Sequence, residues 1–171
     1  MMQFSSSRSG RTALGGVMAA GSLVFLWIAS ITPSGRLGLT AVAGLFPMAA
    51  VLAAGRSAGY LCWAASGLLG FFLLPDKGVP LLYLAFLGLY PIVKGRIESI
   101  RRLPAEWGFK LVFFNLALTL FWFFFRGMFL PDPPSWLADN LPLLYLLGSA
   151  VFVLYDVGLS RLIAMLRVRF R

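Results

Sequence analysis

Residues 12–35 read TALGGVMAAGSLVFLWIASITPSG, a run of 24 uncharged residues between Arg11 and Arg36. A helix needs about 20 predominantly apolar residues to cross the hydrocarbon core of a bilayer, so this run predicts a transmembrane helix. The run extends past the apolar part of an ordinary signal peptide and lacks a convincing small-x-small cleavage site. We therefore expect a retained span.

Further uncharged runs follow, separated by charged residues. Two runs of 19 residues, on either side of Arg56, are long enough to cross, whereas the later three have 16, 15 and 16 residues. Short runs still cross when long basic side chains at their ends reach the headgroups, and Lys94, Lys110 and Arg126 are placed to do so. We predict six spans, at residues 12–32, 37–55, 57–75, 78–94, 108–127 and 141–160.

The distribution of basic residues gives the direction of these spans. With the N-terminus in the cytoplasm, six crossings leave only Arg36, Lys77 and Arg126 outside, of the 15 lysines and arginines in the chain. Such an inner excess is typical of multi-pass membrane proteins. We predict an all-α bundle of six transmembrane helices, with both termini cytoplasmic, as a single transmembrane domain over residues 1–171 in a bacterial inner membrane.

The composition excludes several other classes of protein. With 60% hydrophobic and 12% charged residues the chain is too apolar for a soluble domain, and the net charge of +9 is explained by basic residues that face anionic lipid. We therefore expect membrane lipid and no nucleic acid as a partner. Cys62 is the only cysteine and histidine is absent, so we predict no enzyme, no metal site and no cofactor.

Small residues in the first span form two pairs with a spacing of four. Gly15 pairs with Ala19, and Gly16 pairs with Ala20. Small residues at this spacing allow two helices to approach closely within a membrane. The pairs therefore indicate either a docking face for a partner helix or close packing inside the bundle.

Polar and aromatic residues in the last three predicted spans repeat on one helical face, at intervals of four, three and four residues. Polar groups in lipid need partners, so we expect these faces to turn inward. They line an outward-opening pocket, in which Arg126 beside Trp122 holds an anionic or planar ligand, or they form hydrogen-bonded seams between helices. The three stripes are Tyr83, Leu87, Tyr90 and Lys94; Asn115, Thr119, Trp122 and Arg126; and Tyr145, Ser149, Phe152 and Asp156.

Two features near the inner surface complete the sequence prediction. Asp156 lies about one turn before Arg161 and is expected to pair with a basic residue, or alternatively to relay protons. The segment between Lys94 and Lys110 has apolar residues three apart among arginines, and we predict a short amphipathic surface helix that ends at Pro104.

Several blocks of the chain together have a recognisable layout: the basic start and small residues at 11–20, the turn at Pro33, and the runs 55–60, 74–78 and 86–94. They resemble the S components of energy-coupling factor transporters. The resemblance implies a six-helix bundle that captures a small micronutrient outside the cell. It also implies docking on a transmembrane coupling subunit that two ATPase subunits drive.

The resemblance also implies roles for individual residues. The docking positions correspond to Gly15, Gly16, Ala19 and Ala20, with glycine in place of one alanine in each pair. The ligand-binding positions correspond to Arg36, Lys77, Asn115, Trp122, Arg126 and Tyr145. No phosphate-binding Gly-rich loop with lysine is present, so we expect partners to hydrolyse ATP.

The alternative is a non-transporting scaffold of a cell-envelope complex, similar to the cell-shape protein MreD. A transport subunit needs a cavity lined by the stripe residues. A scaffold fills that space with side chains and binds its partners through the small-residue face or the basic inner loop.

Overall fold

The computed structural model describes residues 8–32, 34–98, 102–125 and 140–169, and all regular structure within these ranges is helical. The helices are α1 (Arg8–Ile31), α2 (Arg36–Ala43), α3 (Leu45–Ala54), α4 (Arg56–Leu73), α5 (Gly78–Leu82), α6 (Tyr90–Ile97), α7 (Leu103–Leu120) and α8 (Leu141–Arg169). A π-helical turn, Tyr83–Leu87, joins α5 to α6, and a second, Phe121–Phe125, extends α7.

Five helical stretches within these ranges are long and apolar enough to cross a membrane, so the chain is an all-α, multi-pass membrane protein. They correspond to five of the six predicted spans. The remaining predicted span, 57–75, coincides with the 18-residue helix α4, which begins at Arg56 and is not among the five stretches. The five stretches are Ser9–Ile31, Arg36–Ala54, Gly78–Ile97, Leu103–Phe125 and Leu141–Met165.

Residue contacts divide the chain into two compact units, of which the second holds residues 96–165. In the first unit, α1 and α4 run side by side in the same direction. A methyl group at Gly15 would lie 3.8 Å from the carbonyl oxygen of Ala58, and one at Gly70 would lie 3.6 Å from Leu26. Helices α2 and α3 run antiparallel to α1, since Ser22 Oγ lies 3.1 Å from the carbonyl oxygen of Ala43 whereas Ala19, earlier in α1, packs with Ala50.

The stretch α5–α6 runs antiparallel to α4. Ser66 of α4 contacts Tyr83. One turn earlier in α4, Trp63 lies against Gly88, which comes later than Tyr83 in the α5–α6 stretch. Because α1 and α4 run parallel, the turn that follows α1 and the turn that follows α4 lie at the same end of the unit, where Arg36 pairs with Asp76.

Glycine at position 44 permits the closest approach between helices in this unit. Gly44 joins α2 to α3, and a methyl group there would overlap the backbone carbonyl of Leu87 in the π-helical turn. No side chain fits between these two backbones. The packing of α2 and α3 against Tyr83–Leu87 therefore depends on the missing Cβ.

A buried group of hydroxyls links α1, α4 and the π-helical turn. The Tyr83 hydroxyl lies 2.9 Å from Ser22 Oγ and 2.8 Å from Ser66 Oγ, and all three residues are fully buried. Apolar side chains from α1 and α5, such as Leu26 and Val79, surround the tyrosine ring. The hydroxyls thus satisfy one another where neither lipid nor water reaches them.

Replacing Tyr83 by phenylalanine is expected to lower the free energy of unfolding by about 1 kcal/mol, because hydrogen bonds between membrane helices contribute about 0.6 kcal/mol each. The ring and its packing remain. Denaturation in mixed detergent micelles measures the change, with Tyr60→Phe on α4 as the matched control. An equal effect of the two substitutions would show that the buried hydroxyl contributes nothing.

In the second unit, α7 and α8 form an antiparallel pair. The Thr119 and Tyr145 hydroxyls lie 2.6 Å apart, and the rings of Phe114 and Phe152 stack with centroids 4.7 Å apart. Residues that come later in α7 thus contact residues that come earlier in α8.

The prediction of a surface helix that ends at Pro104 is wrong. Helix α6 extends to Ile97, and Pro104 lies in the first turn of α7. Proline is favoured there because the first turn of a helix needs no backbone N–H donor. Residues 99–101 lie outside the described ranges.

The prediction that the polar stripes turn inward is confirmed for the fourth span. All its stripe residues are buried: Tyr83, Leu87, Tyr90 and Lys94. In the second unit, Trp122, Phe152 and Asp156 are also buried. The single domain over residues 1–171 stays a prediction.

Candidate functional site

The two small-residue pairs of α1 have different surroundings. Gly15 and Ala19 are buried: Gly15 lies against Ala58 of α4, and Ala19 packs with Ala50 and Cys62. Gly16 and Ala20 are exposed, and a methyl group at Gly16 would meet no neighbouring atom within 4 Å. The first pair therefore packs the unit, while the second is available to an outside partner.

An open groove of about 510 Å³ runs between α1 and α4. One end is polar and lined by Arg11, Thr12 and Ser57, and the remainder is lined by small and apolar residues as far as Ala19 and Ala65. The groove exists because glycine and alanine on α1 leave the space beside α4 unfilled. It includes three of the four predicted docking residues, Gly15, Gly16 and Ala19.

Two predicted ligand-binding residues of the first unit are engaged within that unit. Arg36 Nη1 lies 3.1 Å from Asp76 Oδ2, which joins the turn before α2 to the turn after α4. Lys77 Nζ donates a hydrogen bond of 2.8 Å to the carbonyl oxygen of Leu74 and lies over the ring of Phe71. Both cations thus stabilise turns, and a cation near the C-terminal carbonyls of a helix is favourably placed.

In the second unit, one predicted ligand-binding residue bonds across the two helices and another bonds within α7. The Tyr145 hydroxyl lies 2.6 Å from Thr119 Oγ1, as expected for a seam between helices. Asn115 Nδ2 donates to the carbonyl oxygen of Leu111 in its own helix, and the Asn115 backbone carbonyl accepts from Thr119.

The remaining two predicted ligand-binding residues are Trp122 and Arg126. Trp122 is buried within the π-helical turn Phe121–Phe125. Arg126 follows that turn directly and lies outside the described residues. The predicted contact of an Arg126 cation with a ligand beside Trp122 stays a prediction.

The most strongly charged cluster of the second unit was missed by the sequence argument. Lys110 Nζ lies 3.0 Å from Asp156 Oδ2 and 3.0 Å from Glu98 Oε1, and it also lies over the Trp107 ring. The Lys110 and Asp156 side chains are only 6% and 4% exposed. The expectation that Asp156 pairs with a basic residue is confirmed.

The prediction that Lys94 and Lys110 anchor their helices at the headgroups is wrong, because both side chains are buried. A signal for the pair was present in the sequence. Lys110 and Asp156 both fall inside predicted spans, 108–127 and 141–160, and a charge within a span requires a partner of opposite sign. Apolar periodicity did not reveal that α7 and α8 are neighbours.

No protein-family model, curated protein or solved structure matches the chain. The function is therefore argued from the contacts and charges of the chain itself.

Proposed function

We propose that this chain is a non-enzymatic subunit of a membrane complex that docks on a transmembrane helix of a partner through Gly16 and Ala20. The proposal is based on the different surroundings of the two small-residue pairs in α1. One pair is used for internal packing, and the other is exposed on a helix that is long and apolar enough to span the bilayer. Small residues at such positions let a second backbone approach closely.

The proposed topology has six spans, with both termini on the cytoplasmic side of a bacterial inner membrane. The course of α4 supports this topology, because α4 lies beside α1 and runs in the same direction. The stretch Arg36–Ala54 connects α1 to α4 and returns the chain across the membrane. Since α4 then runs in the same direction as α1, it crosses the membrane as well. Arg11 and Arg56 then lie at one end of the first unit, as expected for the inner side.

Between the two predicted kinds of complex, the contacts favour a scaffold in a cell-envelope complex. Arg36 and Lys77 stabilise turns, Tyr145 bonds to Thr119 of the neighbouring helix, and Asn115 bonds within α7. Lys77 Nζ and the Tyr145 hydroxyl are thus occupied within the chain, whereas Arg36 Nε has no hydrogen-bond partner among the described residues. A scaffold fills its interior with such contacts.

Capture of a micronutrient for a coupling subunit and two ATPases is the second candidate. One observation favours it: Trp122 lies near the end of the helix that precedes residues 126–139, and Tyr145 lies near the start of the helix that follows them. Arg126 belongs to that segment. A ligand site of this kind would use a cation beside an aromatic wall.

Replacing Gly16 by leucine is expected to reduce co-purification of the partner at least about fivefold, because a large side chain at a close helix contact costs about 1–3 kcal/mol. Affinity purification in a gentle detergent, with quantitative mass spectrometry of the captured proteins, measures this change. Val112→Leu, on an exposed position of α7, is the control.

The identity of the captured partners separates the two candidates. ATPases together with a transmembrane coupling protein would support the transport subunit, and cell-envelope assembly proteins would support the scaffold. Equal recovery of the same partners by wild type and Gly16→Leu would overturn docking through α1.

A further inference from the structure

We infer that the groove between α1 and α4 binds an anionic phospholipid, with its phosphate at Arg11 and one acyl chain along the groove. The inference rests on the proposed topology, which places Arg11 on the inner side, and it goes beyond the proposed function because it names the lipid that occupies this groove. It follows from the charge at one end of the groove, from the apolar lining and from the dimensions.

The polar end of the groove suits a phosphate at headgroup level. Arg11 lies in the first turn of the spanning stretch Ser9–Ile31, and Ser57 lies in the first turn of the parallel helix α4. Arg11 is exposed and forms no ion pair with any residue that the structure describes. Arginine binds phosphate through charge-assisted hydrogen bonds, and basic pockets between helices on the inner side of a membrane hold anionic headgroups.

The apolar part of the groove has the depth of one leaflet. From Ser57 to Ala65 the α4 axis advances about 12 Å, and from Arg11 to Ala19 the α1 axis advances by the same distance. Half of the hydrocarbon core measures about 15 Å. A lipid whose phosphate contacts Arg11 therefore extends its chain along α4, past Leu61 towards Ala65.

The lining of the groove beyond its polar end suits an acyl chain. Leu61, Cys62 and Ala65 of α4 line this part and carry no charge, so hydrocarbon contacts apolar side chains along it.

The test uses the full chain reconstituted in vesicles of equal amounts of phosphatidylglycerol and phosphatidylcholine, followed by gentle extraction and quantification of the retained lipids. Wild type is expected to retain phosphatidylglycerol about fivefold over phosphatidylcholine, the preference that one arginine confers near a membrane surface. Arg11→Gln should abolish the preference. Arg161→Gln, at an exposed position of the second unit, should leave it unchanged.

A second variant probes the acyl chain without touching Arg11 or the pair Gly16 and Ala20. Ala65 is exposed at the apolar end of the groove, so Ala65→Leu should fill it and lower retention of both lipids several-fold. Thermal unfolding and circular dichroism confirm that the variants are folded.

Three outcomes would overturn the inference: equal retention of the two lipids by wild type, the same preference in Arg11→Gln as in Arg161→Gln, or unchanged retention in Ala65→Leu. Partner recovery is measured on the same samples. If Ala65→Leu lost the partner but kept the lipid, the groove would seat a protein helix instead. Loss of lipid with full partner recovery would support the inference whatever the fate of the docking proposal.

Discussion

Replacing Asp156 by alanine is expected to lower the free energy of unfolding by about 3 kcal/mol. Removing one partner of a buried ion pair costs about 3–5 kcal/mol, because the other charge is left in a medium of low polarity. We expect the lower end of this range, since Glu98 also lies 3.0 Å from Lys110 and still partly compensates its charge. Denaturant-induced unfolding in detergent micelles measures the loss.

The double substitution Lys110→Met and Asp156→Leu tests the origin of this effect. Replacing both buried charges by apolar groups of similar size is often neutral or stabilising, so the double variant should recover most of the stability lost in Asp156→Ala. Arg161→Gln is the control for a change of charge at an exposed position of α8. A double variant less stable than Asp156→Ala would contradict the desolvation argument.

Replacing Gly44 by alanine is expected to destabilise the protein by about 3 kcal/mol, the upper part of the usual range for overpacking. The added methyl group would overlap the Leu87 carbonyl, which belongs to the backbone and cannot rotate away. Relief requires α2 and α3 to move away from the π-helical turn. Unfolding in detergent micelles and the loss of folded protein on size-exclusion chromatography measure the effect.

Gly38→Ala is the matched control, since Gly38 lies in the same helical stretch, is exposed and has no neighbouring atom within 4 Å of an added methyl group. Alanine is the better helix former by about 1 kcal/mol, so this variant should be unchanged or slightly stabilised. Equal behaviour of the two alanine variants would show that the close approach at Gly44 is unimportant.

The same two substitutions bear on the proposed docking function. Gly44 contacts Leu87 and Asp156 contacts Lys110, and neither belongs to the exposed pair Gly16 and Ala20, so their effects should appear in stability. Gly16→Leu should instead reduce partner recovery at unchanged stability. This contrast separates residues that hold the helices together from residues that are available to another protein.

The sequence by itself determined where the helices lie. A bilayer requires about 20 apolar residues for each crossing, so uncharged runs between charged residues mark the spans without any knowledge of their neighbours. The inward face of the fourth span was also predictable, because polar groups at Tyr83, Tyr90 and Lys94 cannot face lipid. Helix α4 matched less well, because it coincides with the predicted span 57–75 but is not among the five stretches that are long and apolar enough to cross.

Tertiary structure alone decided which polar groups meet. Helical periodicity says that a residue faces inward, but it does not say which helix lies opposite or at what height. The contact of Thr119 with Tyr145 and that of Lys110 with Asp156 therefore required the antiparallel pairing of α7 and α8.

The same limit applies to the small residues of α1. Gly15 and Gly16 are adjacent and chemically identical, so no sequence pattern distinguishes their roles. Only the position of α4 makes Gly15 an internal contact and leaves Gly16 exposed beside a groove. Glycine and alanine permit a close approach wherever they occur, and the arrangement of the helices decides whether that approach is made within the chain or left to a partner.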